Sequence, residues 1–248
     1  MFEVEDDMSL TEEQRKRYYN SIFLKEIGEI GQEKLLLSKV AVVGAGGLAS
    51  SSLLYMVSIG IGELTIIDDD VVRLENLPRQ ILFRNKDVNE KKVFAAKRNL
   101  LAINDQCIIN VVDEKLTTDN ASSLLKGHDV VLDCTDNFET KFLINDTCVK
   151  LNIPFVIAGV SDYQGQVCTC LPHKSKDFKS LFSSLPINID EKYKSEDQGV
   201  FPPSVGVISD TATSDVVKLL LGIGDLLTNK MVVINLLTNT YKVIKFPD

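Results

Sequence analysis

No apolar run in this 248-residue sequence reaches membrane-spanning length, which argues against a transmembrane helix. The opening stretch MFEVEDDMSL is acidic, unlike a secretory signal peptide. Positive charge is in deficit: 27 Lys and Arg face 35 Asp and Glu, for a net charge of −8. That balance argues against a broad nucleic-acid or anionic-membrane surface while leaving room for a local basic pocket. The five cysteines (Cys107, Cys134, Cys148, Cys168, Cys170) have no regular spacing, so no disulfide framework is expected. Free thiols and a cytoplasmic location are the expectation. No G-x-x-x-x-G-K-[ST] occurs, which speaks against a P-loop nucleotide site. No internal repeat or low-complexity tract is present.

What is there is ordinary globular composition, 44% hydrophobic and 25% charged, in a chain long enough to bury a core unaided. The spacing predicts helical structure over 10–37, started by Thr11 with acids in its first turn and carrying Ile22, Phe23, Ile27 and Ile30 as an apolar face. Gly28 and Gly31 should break it into two helices. KVAVV (39–43), a glycine-rich turn, a helix over 48–59 and ELTII (63–67) then read as a βαβ unit. Helices over 91–103, 119–126 and 138–151 alternate with strands over 107–112, 129–133 and 154–158. The expected fold is α/β: a Rossmann-like, doubly wound, mostly parallel sheet with helices on both faces. It continues into antiparallel C-terminal strands, from residues 164–171, 231–234 and 241–246, with a helix over 209–221. One domain is expected over 1–248, with a nucleotide-binding core over 38–160. Residues 172–203, rich in Pro, Ser, Lys and Asp, should form a flexible crossover loop, and 204–248 the C-terminal helix and strands.

Gly44-Ala45-Gly46-Gly47-Leu48-Ala49 fits G-x-G-x-x-G/A between a strand and a helix. Such glycines let phosphate oxygens approach backbone N–H groups at a helix N-terminus; the plain alternative is a tight turn with no ligand. Asp68, ending the next strand, suits ribose hydroxyls, against the alternative of a solvated turn residue. Asn76-Leu77-Pro78-Arg79-Gln80, followed by Lys92, places a guanidinium fork and a point charge where a triphosphate needs them and a dinucleotide does not. Leu132-Asp133-Cys134-Thr135-Asp136-Asn137 brings a carboxylate to the same edge, a hard ligand suited to Mg²⁺ on nucleotide phosphates.

Taken together, RYYNSIFLKEIGEIGQEKL, GAGGLAS, LTIIDDDVV, NLPRQ, LDCTDN and VGVI resemble the MoeB/ThiF/HesA family, relatives of the ubiquitin-activating enzymes, over about residues 14–246. The resemblance implies ATP-Mg²⁺ binding, a homodimer, and adenylylation of the C-terminal Gly-Gly carboxylate of a β-grasp sulfur-carrier protein, with release of pyrophosphate. It implies that Gly44, Gly46 and Gly47 pack against the phosphates and Asp68 holds the ribose with Asp70 nearby. Asn76, Arg79 and Lys92 would grip the triphosphate beside Gln80, and Asp136 would hold Mg²⁺. Arg79, Lys92 and Asp136 would be the catalytic set.

The sequence departs from the family pattern at four places. Asn20 stands where a phosphate-contacting Arg of the partner subunit is expected, with Arg17 three residues earlier as a possible substitute. Ala49 ends the glycine run. Asp177 and Ser180 stand at the first C-x-x-C pair of a structural zinc site, whose second pair would fall beyond residue 248. Ser195 stands near the position of a cysteine used in sulfur or thioester chemistry. Cys168 and Cys170, expected on opposite faces of their strand, are no replacement for the zinc pairs, and His173 alone adds little; no zinc site is expected. His128 reads as a boundary residue. Two other readings stand beside adenylylation: a nucleotide-binding scaffold that grips such a carrier without efficient catalysis, and an NAD-dependent dehydrogenase, which leaves NLPRQ unexplained.

Overall fold

The computed structural model describes residues 9–183 and 199–246. Strands β1 (Lys39–Val43), β2 (Glu63–Ile67), β3 (Ile108–Val112), β4 (Val130–Asp133), β5 (Phe155–Ser161), β6 (Gln164–Cys170), β7 (Lys230–Asn235) and β8 (Thr240–Lys245) form one sheet in the order β3-β2-β1-β4-β5-β6-β7-β8. The first five pair in parallel; β6, β7 and β8 join antiparallel. Between Lys39, which starts β1, and Asp133, which ends β4, the two strands are apolar throughout because both faces of the central strands are covered.

One core, built on Val40, Val42, Leu64, Ile66 and Leu132, faces helices α4 (Gly47–Ile59), α5 (Lys92–Leu101) and α9 (Pro202–Leu221). The other, built on Ala41, Val43, Val131, Phe155 and Ile157, faces α6 (Ala121–Leu125), α7 (Phe138–Leu151) and α8 (Phe178–Ser183). Small residues let α4 and α9 approach closely: Ser52 and Ser209 share a 2.8 Å hydroxyl contact, and Ser209 also donates to the carbonyl of Leu48.

Several boundaries differ from the sequence reading. The N-terminal segment is three helices, α1 (Glu12–Arg17), α2 (Tyr19–Ile22) and α3 (Gly28–Leu37). Thr11 caps α1 in a capping box with Gln14. Gly28, at φ +59°, marks a break, but Gly31 lies inside α3, where a side chain would press within 3.4 Å of Leu221. Of the expected apolar face, Ile22 and Ile27 are partly buried, but Phe23 is 72% and Ile30 82% exposed, so the chain itself covers only half of it. Helix α9 starts seven residues earlier than the periodicity indicated, because Pro202 and Pro203 occupy its first turn, where a missing N–H costs nothing.

Residues 172–203 are not uniformly irregular. Asp177 accepts the Ser180 N–H at 2.8 Å and starts α8, while Asn145 Oδ1 accepts the Phe178 N–H at 2.8 Å. Residues 184–198, which hold Ser195 and the middle of the stretch read as flexible, lie outside the described residues. Cys168 and Cys170 occupy one face of β6, within the same core, and not opposite faces as expected: residues two apart on a strand share a face.

Candidate active site

Strand order reverses between β1 and β4, and ligands of such sheets bind outside the strand ends at this switch point. Gly44 follows β1 there with φ +90°, and a Cβ on it would lie 2.9 Å from the Cys134 carbonyl oxygen. Only glycine fits both constraints. Gly46 is the N-cap of α4, and no side chain caps the helix. A Cβ on Gly46 would meet nothing closer than Gln80 Nε2 at 3.9 Å, so the space above it is open. A Cβ on Gly47 would lie 3.0 Å from Val205 and 3.5 Å from Arg79 Cγ. Ala49 is fully buried, consistent with the packing demand at the last position of the fingerprint.

The segment after β2 forms the opposite wall. Asp68 Oδ2 accepts the Ala45 N–H at 2.7 Å and Oδ1 accepts the Asp70 N–H at 2.8 Å, fixing the carboxylate beside the glycine turn. Residues 71–91 then leave and return as a loop closed by a Val71–Lys91 bridge. Within it Asn76, buried, accepts the Arg73 N–H at 3.2 Å and its carbonyl accepts the Gln80 N–H at 2.9 Å. Arg79, half-buried, donates to the Glu75 carbonyl at 3.2 Å. Gln80 is 3% exposed, and its Oε1 has no hydrogen-bond partner within the described chain. The loop thus lays Arg79 and Gln80 across Gly47 and Gly46.

Lys92, the first residue of α5 and almost fully buried, lies 2.7 Å from Asp70 Oδ2. Arg73 approaches Asp70 from solvent at 3.6 Å. Burial pushes the Asp70 carboxyl up, but the Lys92 and Val71 hydrogen bonds and the Lys92 and Arg73 charges outweigh it and hold the group below the ordinary carboxylate range. Asp136 is exposed; its Oδ1 contacts Asn137 Nδ2 at 3.4 Å, and it makes no ion pair among the described residues. Asn137 caps α7 by accepting the Thr140 N–H at 2.9 Å.

Arg17 is not brought to this group within one chain. It donates to the Ile103 carbonyl at 3.2 Å and approaches Glu13 at 4.0 Å. Ile103 follows the C-terminal end of α5, whereas Lys92 begins that helix, a separation of about 15 Å along its axis. Asn20 is exposed on α2.

Buried charged residues escaped the sequence reading: Asp87, Asp133, Lys141 and, on α9, Asp215, which pairs with Lys218 and accepts from Thr169. Asp87 accepts from the Arg84 N–H at 2.8 Å, Asn99 at 2.8 Å and Arg98 at 2.7 Å, clasping the 71–91 loop to α5. Asp133 and Lys141 pair at 3.2 Å beneath the Cys134–Asn137 turn. Only the helix-period placement of Arg98 and Lys141 facing distant acids would have found the Asp87 and Asp133 pairs, and that needs the tertiary fold.

The residues fit a nucleotide triphosphate. The glycine turn is a cradle that side chains would fill, and Gln80 Oε1 is a buried acceptor without a donor. Asp136, exposed and hydrogen-bonded among the described residues only to Asn137 at Oδ1, could offer a carboxylate oxygen to a hard cation, and one carboxylate plus phosphates is a usual Mg²⁺ arrangement. No group of three or more His, Cys, Asp or Glu that could hold a metal unaided occurs among the described residues. Burial pushes the Cys107 thiol up to about 12, and Cys134 and Cys148 also upward; Cys170 is raised by its contact with Cys168 and by burial. These four are held as neutral thiols and are poor nucleophiles.

Residues 18–248 match the ThiF family. The chain belongs to that family. It is 33% identical over 237 residues to a probable molybdopterin-synthase adenylyltransferase of Gracilaria tenuistipitata var. liui, covering 96% of this chain but 66% of that protein. It is 36% identical over 208 residues to the sulfur carrier protein ThiS adenylyltransferase of Escherichia coli, covering 84% and 82% of the two chains. The chain thus spans just under two thirds of the molybdopterin-synthase relative and most of the ThiS one. Among solved structures, E. coli MccB with ATP superposes with a TM-score of 0.78 at 26% identity, covering 87% of this chain and 66% of that one. No described helix is long and apolar enough to cross a membrane.

Proposed function

We propose that this ThiF-family chain adenylylates the C-terminal Gly-Gly carboxylate of a β-grasp sulfur-carrier protein, using ATP-Mg²⁺ and releasing pyrophosphate. The observation that carries the reading is the placement of Arg79 and Gln80 across Gly46 and Gly47 at the sheet's switch point. The ThiS adenylyltransferase relative and ATP in the MccB structure support the substrate classes.

Each residue has a task in this reading. The N–H groups at the start of α4 and the Arg79 fork receive phosphate oxygens. Asp68, fixed by the Ala45 and Asp70 N–H groups, keeps lone pairs for ribose hydroxyls. Lys92 has three donors, so one can stay with Asp70 while another reaches a phosphate. Gln80 gains a donor for its Oε1 or orders a water there, and Asn76 holds the loop's shape. Asp136 holds Mg²⁺, which neutralises phosphate charge. ATP supplies the adenylyl group. A carrier carboxylate oxygen forms a bond to the α-phosphorus as the bond to the β-bridging oxygen breaks, giving the acyl-adenylate and pyrophosphate. The nucleophile is already ionised, so no general base is required, and the cations offset charge developing in the transition state.

The chain acts as a homodimer in this account. Tyr19, Phe23, Leu24, Ile30 and Leu37 leave 54–82% of their surfaces exposed within one stretch of sequence, an apolar face that a second copy would cover. A second reading, a carrier-binding scaffold with weak catalysis, draws support from Asn20 in place of the trans Arg. The NAD reading leaves Arg79 and Gln80 without a task. Carrier-dependent exchange of labelled pyrophosphate into ATP separates adenylylation from the other two: adenylylation gives exchange, and the scaffold and dehydrogenase readings give none.

A further inference from the structure

Asp133 is the last residue of β4 and is fully buried, where the neighbouring core strands β1 and β2 end in Val43 and Ile67. Its Oδ1 accepts the Thr135 N–H at 2.8 Å, the Thr135 hydroxyl at 2.7 Å and Lys141 Nζ at 3.2 Å. Its Oδ2 has no hydrogen-bond partner among the described residues. Lys141, 6% exposed, also donates to the Ala158 carbonyl at 2.8 Å. Removing two charges from water is costly, and well-packed apolar side chains of similar volume commonly do as well or better. Stability therefore does not explain the pair.

Its geometry does. The Thr135 contacts close a turn of the kind that Asp forms with backbone two residues on. That turn sets the Cys134 carbonyl against Gly44 and leaves Asp136 exposed two residues beyond it, at the end of β4 where the strand order reverses. Asn137 then begins α7, and the Lys141 N–H, one turn further, donates to the Asn137 carbonyl at 3.2 Å. The Lys141 ammonium thus ties α7 to the end of β4 and to the middle of β5, so residues 134–137 are held from both sides.

We propose that Asp133 and Lys141 are positioning residues that aim Asp136 at the metal bound to the nucleotide. The proposal rests on the adenylylation reading above. Outer-shell partners of metal ligands typically change metal affinity by about 10–100-fold when removed.

Two variants test it. Asp133→Asn combined with Lys141→Met removes both buried charges together, so neither is left unpaired. Thr135→Val keeps the ion pair and deletes one contact to Asp133. Calorimetry measures AMP binding without metal and ATP binding with and without Mg²⁺; exchange assays give the half-saturating Mg²⁺. The expected result for the double variant is unchanged AMP binding, a half-saturating Mg²⁺ raised by about 10-fold and a smaller gain in ATP affinity on adding Mg²⁺. Thr135→Val should move in the same direction by less, and it alone decides the matter if the double variant does not fold. Wild-type Mg²⁺ dependence in the folded variants, with only a lower Tm, would overturn the proposal. No Mg²⁺-dependent ATP binding and no exchange by the wild type would instead remove the reading beneath it, and the inference with it.

Discussion

Lys92 Nζ and Asp70 Oδ2 stand 2.7 Å apart, joining the start of α5 to the segment after β2, one almost buried and the other half exposed. The pair has a defined pH signature. The folded carboxyl sits below its ordinary value, so its contribution is fully present above the unfolded value, about 4, and is lost as pH falls through the folded one. The Tm difference between wild type and Asp70→Asn should be constant from pH 5 to 8 and shrink below about pH 4. A difference that instead grows on acidification would contradict the pairing.

Two neighbouring glycines should fail for different reasons. Gly44→Ala meets both a positive φ and a carbonyl at 2.9 Å, so it should cost about 1–3 kcal/mol of stability in urea unfolding. Gly46→Ala has an ordinary φ of −88° and open space, so its unfolding midpoint should match wild type. Its methyl would stand in the phosphate cradle, and the KM for ATP should rise by about 10-fold, roughly 1.4 kcal/mol of binding. A Gly46→Ala protein with unchanged KM would show that phosphates do not approach this turn.

The β1–Gly44–α4–β2 unit was legible because its signals are local: an apolar run, glycines at fixed offsets and a strand ending in Asp68. Helix α7 was read to its end residues, since Asn137 caps it and residue 152 ends it in a left-handed conformation. The Asp133–Lys141 and Asp87–Arg98 pairs were not legible, because partners 8 and 11 residues apart meet only once strand and helix are packed. The N-terminal apolar face was seen in the sequence, but its exposure was not. Periodicity reports that a face is apolar and says nothing of which molecule covers it.

Arg79→Ala and Asp136→Ala should each lower carrier-dependent exchange by about 100-fold or more, as lost stabilisation of transition-state charge does elsewhere. Neither side chain is part of a buried ion pair among the described residues, so Tm should change little. Near-wild-type exchange in both would remove the central assignment.

Asn20 lacks the charge that a trans Arg would bring to the triphosphate. Asn20→Arg should therefore speed exchange in the dimer, by about 10-fold if the added contact contributes about 1.4 kcal/mol to the transition state. Arg17→Ala should leave exchange nearly unchanged, because Arg17 is engaged with the Ile103 carbonyl. The reverse outcome, loss of exchange in Arg17→Ala and no gain in Asn20→Arg, would show that Arg17 crosses the dimer interface to the phosphates.

Adenylylation itself is tested most directly by intact-mass spectrometry of Gly-Gly-terminated β-grasp carriers incubated with the protein, ATP and Mg²⁺. The account predicts a carrier species heavier by one AMP that requires ATP, is absent with Arg79→Ala and disappears when the carrier's terminal glycine is removed. A panel of such carriers that binds the protein yet never gains AMP would contradict it and leave the scaffold reading in its place.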